Sequence, residues 1–399
     1  MNFQRCYFTF TFSHTFEFDD DTVFFAYSLP YTYTSLTNYL CEIESRQLNY
    51  VTRNTLCRTI AGNKCEYLTI TNRVPYEVDK KKEGVVFTAR IHPGESNSSL
   101  MMKGIIDFLI GNDPKAIELR DKFVFKIVPM LNPDGVINGN YRCSLAGCDL
   151  NRRWKYPSEI LHPTIYHTKK LISRLANERC LALYADLHGH SRRKNIFMYG
   201  NVLEDNPAST RIFPFLMSKI AQPHFSYDYS RFNYSRLKEQ TGRIAVWREI
   251  GGKNPNIFTM EASFCGPKPV KYEPHRGAKR APFAHEINYH FTTKDFMNAG
   301  WACCETLLLY RQEKESPMGL SNVEYLIDQY HKEKEAKLQC EELIRQQHVL
   351  VEQRKQQEMQ SRQQNRVTFN DHVNNGMKTD DESTKKAADQ EATAKKEKE

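Results

Sequence analysis

The sequence has no long apolar run and no signal-like beginning. Among its 399 residues, no uninterrupted apolar stretch approaches the roughly 18 residues that a membrane span requires. Residues 1–18 carry a polar residue at almost every second position, unlike the continuous apolar core of a signal peptide. We therefore expect no membrane partner and no secretion.

Paired cysteines are missing as well. The 11 cysteines are an odd number, none are spaced as C-x-x-C, and only Cys303 and Cys304 are adjacent. This pattern is neither a disulfide framework nor a structural zinc cage, and it predicts a reducing, cytoplasmic environment. The 12% aromatic content argues against a disordered or fibrous chain and predicts a sizeable core in one large or two ordinary domains.

The formal net charge of +8 is unevenly distributed. Residues 320–399 contain 14 Lys and Arg against 16 Asp and Glu, a balance of −2, so residues 1–319 carry the remaining +10. A basic body accelerates association with acidic partners. Solvated surface cations without a partner explain the same charge equally well. We expect no nucleic-acid partner.

Residues 7–27 are predicted to form a β-hairpin. Phenylalanines alternate with polar residues from Phe8 to Phe18, which is the period of a strand with one apolar face. The acidic cluster 19–21 is the predicted turn, and residues 22–27 are the predicted return strand. A hairpin with exposed phenylalanines needs a surface to dock on.

Residues 28–315 are predicted to form one α/β domain, a mixed sheet flanked by helices on both faces. Apolar runs that predict strands alternate with segments of helical spacing. The predicted strands are 67–71, 84–89, 123–128, 181–184 and 257–263, and the predicted helices are 35–46, 100–110, 166–178 and 291–310.

The composition changes beyond Pro317. Residues 316–365 are rich in Glu, Lys, Arg and Gln, and their leucines do not hold a heptad, so a charged helical extension is predicted rather than a coiled coil. Residues 366–399 have almost no bulky apolar side chain and are predicted to be a disordered tail.

Two short motifs carry candidate metal ligands. His92 and Glu95 stand three residues apart on a predicted turn directly after a strand, and His188 and His190 follow another predicted strand. Imidazole nitrogen and carboxylate oxygen are ligands that Zn²⁺ takes readily. His188 is the better third ligand because a glycine follows it, although His190 competes. Each motif alone also fits a surface turn or a structural histidine.

Three further polar residues point to a ligand site. Asn151 and Arg152 lie in the run Asp-Leu-Asn-Arg-Arg-Trp, and arginine forks bind carboxylates bidentately. Surface ion pairs are the alternative use of these arginines. Glu261 lies inside an apolar strand, where a carboxylate is rarely buried without a partner. It is either paired structurally or held as a base near the metal.

Seven motifs in a fixed order carry a family resemblance. They are His-Pro-Gly-Glu, Leu-Asn-Pro-Asp-Gly-Val, Gly-Asn-Tyr-Arg-Cys-Ser-Leu-Ala-Gly, Asp-Leu-Asn-Arg, Asp-Leu-His-Gly-His-Ser, Gln-Thr-Gly-Arg and Thr-Met-Glu-Ala-Ser-Phe-Cys-Gly. Over about residues 24–310 the sequence resembles the cytosolic carboxypeptidases, M14-type zinc peptidases that remove glutamates from tubulin. The likeness is greatest to the second and third vertebrate paralogues. It implies the zinc carboxypeptidase fold, with residues 1–27 as the remnant of an N-terminal β-sandwich domain.

The resemblance implies the metal site and the base. It makes His92, Glu95 and His188 the ligands of one Zn²⁺ per chain and Glu261 the general base and acid. It also makes Asp149 the carboxylate that orients the first ligand histidine.

The resemblance implies the substrate contacts as well. Arg142 matches the arginine that polarises the scissile carbonyl, and Asn151 with Arg152 match the clamp for the terminal carboxylate. For the glutamate side chain, Arg248 is the first choice and Arg243 the second, since either cation can pair with a γ-carboxylate.

The implied substrates are the C-terminal tails of tubulin and microtubules, or other polyglutamylated proteins. The implied location is the cytoplasm, including cilia and basal bodies, and no oligomeric state is predicted. Two alternatives remain open at this point: a zinc amidohydrolase of the aspartoacylase type, which shares a His-x-x-Glu…His site, and a catalytically inactive microtubule-binding protein.

Overall fold

The computed structural model describes residues 9–233, 238–268 and 290–396, with side chains up to residue 360 except at 354 and 358. The described residues form one eight-stranded sheet. Its strands are β1 (Val51–Arg58), β2 (Lys64–Ile70), β3 (Glu83–Ala89), β4 (Phe123–Val128), β5 (Leu181–His190), β6 (Ile196–Gly200), β7 (Arg231–Phe232) and β8 (Ile257–Ser263).

The sheet is mixed, with a parallel centre. The strand order is β1-β2-β4-β3-β5-β8-β6-β7. Strands β4, β3, β5 and β8 are parallel neighbours, β1 and β2 form an antiparallel ribbon on one side, and β6 runs antiparallel to β8 on the other. The carboxyl ends of the parallel strands therefore meet at one edge, where open α/β sheets place their sites.

Helices connect the strands. They are α1 (Tyr33–Ser45), α2 (Tyr76–Asp79), α3 (Ser96–Ile110), α4 (Pro114–Lys122), α5 (Pro133–Ile137), α6 (Pro163–Glu178), α7 (Ser209–Ile220), α8 (Gly242–Glu249), α9 (Thr293–Glu315) and α10 (Ser321–Lys396). Local chemistry sets several of their ends: the Thr32 hydroxyl caps α1, and Thr292 and Asp295 form a reciprocal capping box at the start of α9.

The core follows the apolar runs of the sequence. Strands β3, β5 and β8 are almost wholly buried, and the largest fully buried side chains include Trp154, Tyr184, Phe87, Phe197 and Phe258. A parallel strand buried on both faces reads as a continuous apolar run, which is why these strands are visible in the sequence. The predicted α/β fold with a mixed sheet is confirmed.

The predicted N-terminal hairpin differs from the structure. Residues 9–27 contain no strand, although the chain turns at Asp19 and Asp20 and brings the rings of Phe12 and Phe25 to a centroid distance of 5.3 Å. Isolated two-stranded ribbons are marginal in water, and most of the phenylalanines here are exposed. Residues 1–8, where the predicted hairpin begins, lie outside the described residues.

The C-terminal residues are helical. The chain divides into two compact units, Met1–Ile327 and Asp328–Glu399. Helix α10 confirms the predicted helical extension but continues through Lys396, whereas disorder is predicted from residue 366. Glu, Lys, Gln and Ala favour helix, and no proline follows Pro317. Among the described residues, no helix is long and apolar enough to cross a membrane.

Candidate metal centre

The two halves of the candidate centre come from neighbouring parallel strands. His92 and Glu95 lie on the turn between β3 and α3, while His188 lies near the end of β5. Between the first two ligands, a Cβ on Gly94 would lie 2.8 Å from the side chain of Tyr141, so this tight turn requires glycine. Because β3 and β5 are adjacent and parallel, the turn and the histidine meet at one edge of the sheet.

Glu95 lies between the two imidazoles. Its Oε1 is 2.7 Å from Nδ1 of His92, and its Oε2 is 3.0 Å from Nδ1 of His188. One ligand atom from each of the three buried residues lies within 4.8 Å of the others. Both histidines therefore direct the same ring nitrogen, Nδ1, toward one point.

A second carboxylate lies behind each histidine. Nε2 of His92 is 3.1 Å from Oδ1 of Asp149, as the resemblance implies, and Nε2 of His188 is 2.9 Å from Oδ2 of Asp186. A carboxylate at Nε2 keeps that nitrogen protonated, so Nδ1 carries no proton and its lone pair is free. This is the tautomer that can ligate a metal through Nδ1.

Sequence reasoning missed Asp186 as a functional residue. Residues two apart on a strand face the same side of the sheet. Because β5 continues beyond Tyr184, Asp186 and His188 are neighbours on one face, and a longer predicted strand would have indicated this. The strand was predicted to end at residue 184, before both of them.

The electrostatics of the centre favour a cation. Although burial opposes it, Asp149 and Glu95 raise the pKa of His92, and Asp186 and Glu95 raise the pKa of His188. The histidines in turn lower the pKa of Glu95 against the effect of burial. Two imidazoles and three carboxylates at hydrogen-bond distance attract positive charge, and their nitrogen and oxygen donors suit Zn²⁺. The residues present fit the metal that the resemblance implies.

Glu261 lies beside the ligands on β8, where it is the register partner of His188 on β5. Burial raises the pKa of this carboxyl to about 7, with His188 and His92 opposing the rise and Glu95 and Asp186 supporting it. A carboxyl with a pKa near neutrality both accepts and returns a proton readily. No hydrogen bond within the described residues engages it, which favours a base over a structural ion pair.

A cavity of about 270 Å³ opens at this edge of the sheet. Most of the residues that the sequence singles out line it together: His92, Glu95, Arg142, Asn151, Arg152, His188, His190, Arg243 and Glu261. Nε of Arg142 donates to Oδ2 of Asp149 at 2.9 Å, which holds the guanidinium at the cavity wall. Asn151 lies in a single 3-10 turn, Leu150–Arg152, and its Oδ1 accepts from the backbone N–H of Gly242 at 2.9 Å.

His190 lines the cavity but has another use. Its Nδ1 accepts hydrogen bonds from the backbone N–H groups of Arg192 and Arg193 at 3.2 and 3.0 Å. Among the described residues, it is His188, and not His190, whose ring nitrogen lies within 4.8 Å of the ligand atoms of His92 and Glu95.

Arg248 does not reach the cavity. Its Nη2 is 3.1 Å from Oε1 of Glu239, outside the lining, whereas Arg243 is buried and lines it. The two arginines are five residues apart on α8, and five residues turn a helix by about 500°, so they lie on different faces. Of the two arginines predicted to bind the glutamate side chain, Arg248, the first choice, is therefore misplaced for that role, and Arg243, the second, lies in the cavity.

Lys238 is a cavity cation that sequence reasoning missed. It lines the cavity with Arg243, and burial together with the repulsion of Arg243 and Arg152 lowers the pKa of its amine. No local sequence pattern marks Lys238, because only the tertiary structure brings it to the cavity.

The fold and this cluster define a class: α/β proteins with a two-histidine, one-carboxylate metal site at the carboxyl edge of a mixed sheet. A family model described as zinc carboxypeptidase matches residues 36–275. The chain belongs to the zinc carboxypeptidase family.

The chain is similar to the cytosolic carboxypeptidases within this family. It is 46% identical over 304 residues to cytosolic carboxypeptidase 2 of Mus musculus, covering 75% of this chain and 33% of the relative. It is 44% identical over 310 residues to cytosolic carboxypeptidase 3 of Bos taurus, covering 76% and 29%. The chain thus spans about a third of the length of these relatives. The predicted likeness to the second and third paralogues is confirmed.

Solved structures support the fold. A metallo-carboxypeptidase from Burkholderia cenocepacia superimposes with a TM-score of 0.57 at 24% identity, covering 70% of this chain and 69% of the other. Carboxypeptidase A from Helicoverpa armigera gives a TM-score of 0.50 at 16% identity, covering 70% and 73%.

Proposed function

We propose that this chain is a zinc-dependent metallocarboxypeptidase that removes C-terminal glutamates. The observation that carries the proposal is the convergence of His92, Glu95, His188 and Glu261 in one cavity that is also lined by cations. Membership of the zinc carboxypeptidase family supports it.

One Zn²⁺ per chain would be held by His92, Glu95 and His188. Bound zinc supplies Lewis acidity to a carbonyl and to water. Asp149 and Asp186 keep the imidazole rings in the ligating tautomer.

The chain's own groups move the proton and position the substrate. Glu261 accepts the proton of the attacking water and returns it to the leaving amine. Arg142 places positive charge beside the oxygen of the scissile carbonyl, where negative charge develops. Arg152 and the amide of Asn151 bind the terminal carboxylate of the substrate.

The basic end of the cavity suits a glutamate side chain. Lys238 and Arg243 are two cations in one partly buried cavity, where a γ-carboxylate pairs with them more strongly than in water. Arg243 is anchored by the carbonyl oxygen of Gly200 at 2.6 Å, so Lys238 is the more adaptable partner.

The proposed substrates are acidic protein tails, such as those of tubulin and microtubules, or other polyglutamylated proteins. The charge of +10 on residues 1–319 supports them. The proposed location is the cytoplasm, including cilia and basal bodies; the relatives named cytosolic carboxypeptidases support the cytoplasmic part.

Polyglutamylated tubulin tests the proposal. The purified chain is incubated with it, and the lost glutamates are read by mass spectrometry while zinc is quantified per chain. We expect one zinc and progressive loss of glutamate. The matched Glu261→Gln variant should keep its zinc and lose at least about 100-fold in rate. A chain without zinc that binds microtubules supports the inactive binding protein, and release of an acyl group from small amides supports the amidohydrolase.

A further inference from the structure

A second basic surface lies next to the catalytic cavity, along helix α6. It is an open groove of about 880 Å³, which we call the basic groove. Its cations and aromatic rings are Lys155, Tyr156, Tyr166, Lys169, Lys170 and Arg174.

Two of these cations are not held in an ion pair, and the carboxylates that line the groove with them are Glu178 and Glu249. Lys155 pairs with Glu239 at 3.0 Å, and Lys169 pairs with Glu249 at 3.1 Å. Lys170 and Arg174 lie four residues apart on α6, are exposed, and form no ion pair within the part of the chain that the structure describes. Residues four apart share one face of a helix, so the two positive charges point into the groove together.

One short segment of chain connects the cavity with the basic groove. Arg152 lines the cavity, and the chain reaches the groove three residues later at Lys155. The backbone N–H of Trp154 donates to the carbonyl oxygen of Gln240 at 3.1 Å, which ties this segment to the one that carries Lys238 into the cavity. An extended polypeptide that leaves the cavity along this segment meets the groove within a few residues, since each residue spans about 3.3 Å.

The groove also offers exposed aromatic surface, on which the methylene groups of a bound polypeptide's side chains can pack. Tyr156 is 82% exposed, and the ring of Tyr166 lies under the ammonium group of Lys170 at 4.3 Å. Acidic side chains with short methylene stems are suited to such a surface, because the carboxylates meet the cations while the stems cover the rings.

We propose that the basic groove is an exosite that binds the acidic stretch of a polypeptide substrate whose C-terminus occupies the cavity. This inference rests on the proposed function. It assigns to Lys170 and Arg174 a role in substrate affinity that leaves the chemical step unchanged.

Kinetics on matched substrates test the exosite. The substrates are a blocked dipeptide Glu-Glu, a 12-residue acidic peptide ending in Glu-Glu, and a neutral peptide of the same length and ending. For the full chain with Lys170→Ala and Arg174→Ala, we expect KM for the acidic peptide to rise about 3- to 30-fold, the range that two exposed ion pairs supply. Its kcat, and both constants for the other two substrates, should stay unchanged. The control variant carries Lys80→Ala and Lys81→Ala, two exposed lysines outside the groove.

A binding measurement separates this inference from the proposed function. The acidic peptide with an amidated C-terminus lacks the terminal carboxylate that the cavity is proposed to grip, and its Kd is measured by fluorescence anisotropy. We expect the same 3- to 30-fold weakening in the groove variant, even if the chain hydrolyses nothing. Equal losses for short and long substrates, an unchanged Kd, or tighter binding of an oligonucleotide of the same charge would each overturn the exosite.

Discussion

At the scale of single residues, the carboxylates of the centre contact different nitrogens of the two histidine rings. Glu95 faces both histidines at Nδ1, and Asp149 and Asp186 face them singly at Nε2. Asp186 is fully buried and also accepts a hydrogen bond from the hydroxyl of Thr88 at 2.7 Å. A buried carboxylate that accepts from two donors fixes the ring of His188 on the side opposite Glu95.

Removal of the Asp186 charge should weaken the metal site. We expect Asp186→Asn to lower zinc affinity about 10- to 100-fold, because the amide no longer keeps the Nε2 proton of His188 in place. Competition with a chromophoric chelator measures it. Asp113→Asn is the control, since it removes a distant carboxylate while asparagine still caps α4. Equal zinc affinity of both variants would contradict the positioning role.

The protonation of Glu261 predicts the acid limb of the pH profile. Burial raises its pKa to about 7, and the base form exists above that value, so activity is lost as pH falls through it. A bound divalent cation stabilises the carboxylate, so we expect a midpoint at or below pH 7 and a tenfold fall in kcat/KM per unit further down. Profiles between pH 4 and 8 measure it, and activity that increases on acidification would contradict this assignment.

Sequence reasoning at this scale succeeded where function is local. His92 and Glu95 share one turn, and His188 follows an apolar run, so spacing was sufficient to name them as candidates. The family resemblance then favoured His188 over His190. The cations proposed to bind the glutamate side chain depend on tertiary structure. Arg248 follows Arg243 on α8 but lies on another face of the helix, and no sequence pattern marks Lys238.

At the scale of elements, helices α3 and α9 approach each other at two glycines. A Cβ on Gly104 would lie 2.0 Å from the carbonyl oxygen of Met297, and one on Gly300 would lie 2.0 Å from that of Met101. Such backbone contacts exclude every other side chain. This crossing supports the site, because α3 begins directly after Glu95.

Gly104→Ala should therefore destabilise the protein despite the higher helix propensity of alanine. We expect a loss of about 1–3 kcal/mol in the free energy of unfolding, since the methyl group forces the helices apart. Chemical denaturation measures it. Gly111→Ala, at the end of the same helix, is the milder control because its Cβ would lie no closer than 3.2 Å to a neighbour. Equal stability of the two variants would contradict the close approach.

The buried central strands β4 and β8 were predictable, and the edge strand β1 was not. The prediction of β4 as 123–128 and β8 as 257–263 matches the structure, since their apolar runs are continuous. Strand β1 was missed because its burial is irregular and a register shift interrupts it between Thr55 and Cys57. The hairpin prediction failed for the opposite reason: the alternation is clear, but most of its phenylalanines remain exposed.

At the scale of the whole molecule, the boundary between the compact units falls inside a helix. Val323 and Ile327 on α10 are 2% and 3% exposed, so they belong to the first unit's core, and Oε1 of Glu324 accepts from the side chain of Asn206 at 2.9 Å. From Asp328 onward the chain forms the second unit. The change in composition at Pro317 precedes the boundary because the first turns of α10 still carry core residues.

Two truncations should separate these roles. A chain of residues 1–327 keeps both buried side chains, and we expect its free energy of unfolding and its kcat/KM on a blocked Glu-Glu dipeptide to match those of the full chain. A chain of residues 1–319 exposes the surface that Val323 and Ile327 cover, and we expect it to lose about 3 kcal/mol of stability. Denaturant unfolding of the three chains measures the difference. If the shorter truncation were as stable as the longer one, these two residues would not belong to the core of the first unit.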